Sequence, residues 1–298
     1  MYSDGKRTPE ELCRMASEAS LTHIALCDHD TLLGVEKMAA SVSSLNKHRA
    51  REGHYQSLTF IPSVEMSAGA NGHTHILGFG AQVKNKALQE VLQGAVQRRS
   101  IRFDQMLAKL SALGIKIPAH CLPQKVPGSL GRAHLARALV AARVTSSVKE
   151  AFIRFLGDGK PAYVAYQHQT VADVIPLLRQ AGAVPVLAHP WRIGLKEPAL
   201  FALIQEMQSW GLMGVEVYHP SASGSDCMQL EAFARRQGLL VTGGSDYHGD
   251  VGLSETLGAD RWISMTQDVE ALLAHIPQYI TTTGKHCISN IAKENGHV

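Results

Sequence analysis

The chain has 298 residues, 45% hydrophobic and 18% charged, a balance that supports a sizeable buried core and excludes a disordered polyelectrolyte. Its formal charge of +3 is too mild to argue for nucleic-acid binding alone and suits an anionic substrate. The five cysteines, odd in number, widely spaced and without a CxxC pair, point to reduced thiols in a cytoplasmic protein. No apolar run of about 18 residues or leader before the first motif is found, so neither a membrane span nor export is expected.

Thr8, Pro9 and Glu11 form a capping box with proline at the first helical position, which predicts a helix to about residue 20. A short apolar strand over 23–27 ends in Asp28-His29-Asp30. A helix over 33–52 follows, then a strand over 58–62 that leads to Val64-Glu65. After a Gly-rich turn at 69–72, residues 73–79 read as another strand. From 85 to about 157 the pattern is helical and more polar, with Arg98, Arg99 and Arg102 in it. Strand and helix then alternate: helix 171–182, strand 183–188, helix 197–210, strand 214–218, helix 225–237 and strand 239–243. A strand over 261–264, a helix over 269–275 and a polar tail after 283 complete the chain.

Short strands alternating with helices predict an α/β fold with a mainly parallel sheet. There is no dinucleotide-binding fingerprint, which favours a closed barrel whose function sits at the C-terminal ends of its strands. Residues 1–84 and 162–298 would form the barrel, and 85–161 a helical insertion.

Fifteen histidines make this a histidine-rich chain, and their positions matter more than their number. Polar clusters fall at the predicted strand ends: Asp28-His29-Asp30, Glu65, Ala188-His189-Pro190, Glu216 with His219, and Ser245-Asp246-Tyr247-His248. His75 sits early in its strand. Side chains on a strand repeat every two residues, so Asp246 and His248 share a face, as do His73 and His75. A lone histidine at a strand end is more often a hydrogen-bonded surface or core residue, and Asp28 and Asp246 could be helix N-caps. Five clusters at five strand ends argue instead for metal ligation by His29, Glu65, His75, His189, Asp246 and His248. A mixed imidazole and carboxylate set suits Zn²⁺, Mn²⁺ or Fe²⁺ rather than Ca²⁺. His73 reads as structural, and Glu216 and His219 stay open between the two roles. His23, His48, His54, His120, His275, His286 and His297 read as ordinary.

The order Ser3-Asp4-Gly5, Thr8-Pro9-Glu10-Glu11-Leu12, Cys27-Asp28-His29-Asp30-Thr31, Val64-Glu65, His75-Ile76-Leu77-Gly78, Ala188-His189-Pro190 and Ser245-Asp246-Tyr247-His248 resembles the PHP (polymerase and histidinol phosphatase) superfamily. The segments Gly131-Arg132-Ala133-His134-Leu135-Ala136-Arg137 and Phe155-Leu156-Gly157-Asp158-Gly159-Lys160-Pro161 resemble its branch acting on nucleoside 3′,5′-bisphosphates and RNA 5′ ends. The resemblance implies a distorted (β/α)7 barrel with an inserted helical subdomain and two or three divalent ions. Mn²⁺ is the first choice of ion, with Zn²⁺, Fe²⁺ or Mg²⁺ as alternatives. It implies metal ligands at Asp4, His29, Glu65, His75, His189, Asp246 and His248. It also implies phosphate contacts from Arg132, His134, Lys160 and Arg192. His134 or His219 would protonate the leaving oxygen, and the choice stays open.

The family's first strand ends in a His-x-His pair before Ser-Asp-Gly, whereas this sequence reads Met1-Tyr2-Ser3-Asp4. Most of strand one and two ligands are therefore missing from it, and a start placed at an internal methionine is favoured over a lost site. The expected partner is a small nucleotide or oligoribonucleotide, with no membrane and no stable protein partner. Alternatives are a histidinol-phosphate-type phosphatase and a catalytically impaired scaffold that binds nucleotide or a partner.

Overall fold

The computed structural model describes residues 3–53, 56–69, 74–123, 128–249, 257 and 266–276. The predicted strand at 261–264, His73 and the tail after 283 lie outside them. Helix α1 (Pro9–Glu18) opens at the predicted capping box. Thr8 Oγ1 accepts from Glu11 N at 3.2 Å, and Glu11 Oε2 accepts from Thr8 N at 2.8 Å. The chain continues through β1 (His23–Leu26), α2 (Val35–Arg51), β2 (Thr59–Ala68), β3 (Thr74–Phe79), α3 (Lys86–Ala112), α4 (Arg132–Ala141) and α5 (Val148–Ala151). A π-helical turn, Phe152–Leu156, ends the helical stretch. Then come α6 (Val171–Gln180), β4 (Val184–Leu187), α7 (Ala199–Ser209), β5 (Gly214–Tyr218), α8 (Gly224–Arg236), β6 (Leu240–Gly243) and α9 (Thr266–Leu273).

The six strands form one sheet in chain order. β1–β2, β4–β5 and β5–β6 pair in parallel, but β3 runs antiparallel to both β2 and β4. The sheet is thus mainly parallel, as expected, with β3 as the exception, and the cause is the link between β2 and β3. A parallel return needs a crossover of about a dozen residues or more, and residues 69–73 are too few. Glu65 is also not the end of its strand. β2 runs on to Ala68, which pairs with Thr74.

Period-two alternation divides the sheet into two faces. Phe60, Val64, Met66, Ile76, Leu187, Val215 and Val217 join the main core, together with Leu12, Met38, Leu178, Ile204 and Leu230 of α1, α2, α6, α7 and α8. Ile61, Leu77, Phe79, Val184 and Val186 point to the other face and meet Leu272 and Ile276 at the α9 end. Glu65 and His75 share that second face with Ile61 and Leu77. Leu88 and Leu92 in the first half of α3 join the main core. Phe103, Met106 and Leu110 in its second half pack with Leu135, Leu139 and Leu156 in a separate cluster.

Asn46 on α2 replaces a missing ladder partner ahead of β2. Its Nδ2 donates to Leu58 O at 2.8 Å and its Oδ1 accepts from Leu58 N at 2.9 Å, both buried. Replacing Asn46 with alanine orphans both backbone groups and should cost about 2–4 kcal/mol of stability. Urea unfolding of the metal-free protein measures this, and an unchanged midpoint would refute the clasp.

Candidate metal centre

Because β3 is reversed, its N-terminal end lies level with the C-terminal ends of its parallel neighbours. That brings His75 to Glu65 of β2 and to His189, just beyond β4. Glu65 Oε1 lies 2.7 Å from His75 Nδ1 and 3.2 Å from His189 Nε2, and those two nitrogens are 3.1 Å apart. The other carboxylate oxygen, Oε2, is 3.5 Å from His29 Nδ1. His29 and Glu65 also join in a parallel bridge that extends the β1–β2 pairing.

A second group adjoins the first. His248 Nε2 lies 3.5 Å from Asp4 Oδ1, and His248 Nδ1 donates to Asp246 O at 2.7 Å. That bond occupies Nδ1 and leaves Nε2 facing Asp4. Asp4, His29 and His248 can offer one donor atom each within 4.8 Å of one another, as can His29, Glu65 and His75, so His29 is common to both triads. Asp246 Oδ2 lies 3.5 Å from His219 Nε2 and accepts from Arg192 Nη1 at 2.8 Å.

The turn after β4 is held by a buried acid. Glu216 Oε2 accepts from His189 N at 2.7 Å, and His189 takes a left-handed backbone, φ 30° and ψ 61°. Burial, with the charges of Asp246 and Glu65 adding to it, pushes the Glu216 carboxyl well above the usual carboxylate range, despite its bond to His189 N. Gly244 leaves room for this acid, because a Cβ at that position would press on Glu216 Oε1 and force it to shift.

Burial also raises the Glu65 carboxyl, but His29, His75 and His189 outweigh it and hold it well below the ordinary value. Burial draws both His75 and His248 down. Glu65 reverses this for His75, and Asp4 with Asp246 for His248, so both stay above the usual 6.5. Burial keeps His189 below it. The donor set fits a cation. Two imidazole nitrogens 3.1 Å apart converge on one carboxylate oxygen, while His29 Nδ1 and His219 Nε2 are buried with no hydrogen-bond partner among the described residues.

Asp4, His29, Glu65, His75, His189, Asp246 and His248 are thus brought together, and Glu216 and His219 join them. Of the phosphate candidates, Arg192 reaches the cluster through Asp246. Arg132 pairs with Asp158 at 2.6 Å, and Lys160 is exposed in the turn after α5. His134 accepts from Gly131 N at 3.1 Å and lies in the field of Asp4. Asp30 faces away from the donors, toward Arg99 and Ser67 N. Sequence reasoning gave no role to Arg99, Arg102, Arg137, Tyr166 or His168. The Arg98-Arg99 and Arg102 spacing was the one available signal. Arg102 stands 5.4 Å from the ring centroids of both Tyr163 and Tyr166, and His168 packs edge-on against Tyr166. Burial and then Arg99 push His168 down to about 3, so its ring is neutral.

No family model matches the chain. It is 33% identical over 267 residues to a 3′,5′-nucleoside bisphosphate phosphatase of Chromobacterium violaceum, covering 86% of this chain and 89% of that one. The chain belongs to the PHP-type phosphoesterases. It is also 31% identical over 265 residues to the 5′-3′ exoribonuclease Rnm of Escherichia coli, covering 88% of this chain and 86% of that protein. Two solved structures share the fold. One is an amidohydrolase from Chromobacterium violaceum with bound sulfate, at TM-score 0.78 and 29% identity over 91% of this chain and 93% of that one. The other was solved as a metal-dependent phosphoesterase of Bifidobacterium adolescentis, at TM-score 0.76 and 28% identity over 92% of this chain and 93% of that one. The fold of this PHP-type chain is accordingly mixed α/β around a curled six-stranded sheet, and its polar cluster is suited to divalent metal ions. Among the described residues, no helix is long and apolar enough to cross a membrane.

Protons would compete with a bound metal at His75 and His248, whose protonated forms persist above the ordinary imidazole value. Divalent-ion affinity should therefore rise from about pH 6 to about pH 8, with protons released on binding. Titration calorimetry in buffers of different ionisation enthalpy tests this, and affinity that is flat over the range would refute it. Glu65→Gln should lower metal content at neutral pH, as read by elemental analysis.

Proposed function

We propose that the chain hydrolyses phosphate monoesters of nucleotides, either 3′,5′-bisphosphorylated nucleotides or short 5′-phosphorylated RNA, on two or three divalent ions, with Mn²⁺ first. The observation that carries this reading is the contact of Glu65 Oε1 with both His75 and His189, beside a second triad that shares His29. The relatives acting on bisphosphate nucleotides and RNA supply the substrate class. The proposed ligands are Asp4, His29, Glu65, His75, His189, Asp246 and His248. The proposed frame is a distorted (β/α)7 barrel formed by 1–84 and 162–298, with 85–161 as a capping insertion. Sequential strand order, and a cavity of about 490 Å³ lined by β1 and by residues 243–248, support room for a further strand. The setting we propose is cytoplasmic, from the odd number and wide spacing of the five cysteines.

When bound, divalent ions supply Lewis acidity and neutralise charge on the phosphoryl group. Arg192, poised on Asp246 and half exposed, would turn to the scissile phosphate with a two-pronged contact. His219 accepts from Ser221 N at 3.1 Å through Nδ1, which leaves its proton on Nε2 facing Asp246. That proton suits the leaving oxygen. His134 also accepts at Nδ1 and is the alternative donor. A second phosphate would be taken by the insertion. Arg102 forms no ion pair among the described residues, and burial with Arg132 and Arg99 nearby draws its guanidinium below the ordinary value. Arg132 and the exposed Lys160 lie in the same insertion. This surplus of positive charge favours a bisphosphorylated substrate over histidinol phosphate.

Phosphate release from 3′-phosphoadenosine 5′-phosphate, a 5′-phosphorylated oligoribonucleotide and histidinol phosphate, each with Mn²⁺, tests the reading. The first two should be hydrolysed faster than the third, and His189→Ala and Asp246→Ala should abolish turnover. No release from either nucleotide, or full activity in both variants, would overturn it.

A further inference from the structure

Two arginines of the helical segment between β3 and α6 reach the rim of the metal centre without touching its donor atoms. Arg99 lies midway along α3. Its Nε donates to Asp30 Oδ2 at 2.7 Å, and its Nη2 lies 2.6 Å from that oxygen and donates to Ser67 Oγ at 2.8 Å. Asp30 is tied to β2 on its other side. Its Oδ1 accepts from Ser67 N at 2.9 Å, and its own N donates to Glu65 O at 2.9 Å. Asp30 follows His29 directly and has φ 52°, a left-handed conformation uncommon outside glycine that its side-chain hydrogen bonds help to hold. Arg99 thereby fastens the His29–Asp30 corner to the stretch of β2 that carries Glu65.

Arg137 on α4 does the corresponding work elsewhere on the rim. Its Nη1 donates to Asp4 O at 2.6 Å. The same loop meets the opposite side through Lys6 N, which donates to His248 O at 3.3 Å. Asp4 and His248 are the two members that the second triad does not share with the first.

We propose that Arg99 and Arg137 are positioning residues through which the docked helical segment sets the metal affinity of the two halves of the centre, which share His29. Arg99 governs the His29, Glu65 and His75 half, and Arg137 governs the Asp4, His29 and His248 half. The inference rests on the metal reading above but adds a dependence that the donor set does not contain. Groups that orient ligands in this way typically change metal affinity about 10–100-fold when removed.

The test is Mn²⁺ titration into the metal-stripped full chain by calorimetry. Melting curves of the metal-free proteins serve as the fold check. Arg137→Met should weaken one class of Mn²⁺ site about 10–100-fold and spare the other. Arg99→Met should weaken the class that Arg137→Met spares. Arg99→Met leaves Asp30 charged and buried, so Arg99→Met with Asp30→Asn serves as the second variant. It removes the charge while keeping the acceptor for Ser67 N, and it should show the same loss. Arg154→Met, which breaks a surface pair with Glu150, should change neither class. In the arginine variants, excess Mn²⁺ should restore kcat more than it restores KM for the phosphate substrate. Unchanged Mn²⁺ affinity in folded variants, or equal weakening of every site by both, overturns the two-half clamp. An unaltered protein that binds no Mn²⁺ overturns the metal reading, and the clamp with it.

Discussion

Glu65 places a carboxylate on the buried face of a sheet, where an unpaired charge would cost several kcal/mol. It is held there by imidazoles from three other parts of the chain: His29 after β1, His75 on β3 and His189 after β4. The strands must stand in this register for that charge to be tolerated, so the packing of four segments and the chemistry of the site share one constraint. A bound cation would satisfy the same donors and relieve the contact between the nitrogens of His75 and His189.

Glu216 lies nearby and is resolved in the opposite way. Few positive groups face it, and burial favours its neutral form, while its oxygen fixes the backbone turn that presents His189. One buried acid thus stays charged and gathers side chains, while its neighbour supports a strained backbone. Beyond the sheet, the helical segment has its own apolar cluster and sends Arg99 and Arg137 back to the rim. Its position and that of the ligand-bearing loops are therefore physically linked.

Most of the ligand-type residues were legible in the sequence because they sit in or beside a locally recognisable strand, whereas Asp4 was reached only through the family resemblance. His29, His189, Asp246 and His248 all follow short apolar runs, and Thr8 marked the first helix through bonds spanning three residues. Glu216 and His219 were left open because a polar residue in or after a strand has several local explanations. Arg99 and Arg137 stood in noticed arginine-bearing segments, but nothing local pointed to their partners. Their partners lie 69 and 133 residues away, and an arginine on a helix most often faces water.

The sequence by itself determined which residues face together along each strand, since a period of two follows from backbone geometry alone. It likewise determined where the capped first helix starts and which residue types could hold a cation, but not where the helices within 85–157 begin. Only the tertiary structure decided that β3 runs backwards, that β2 extends past Glu65, and that His75 therefore meets Glu65 and His189. Strand direction and partner choice depend on link length and on burial against distant segments, and no local window of sequence contains those energies.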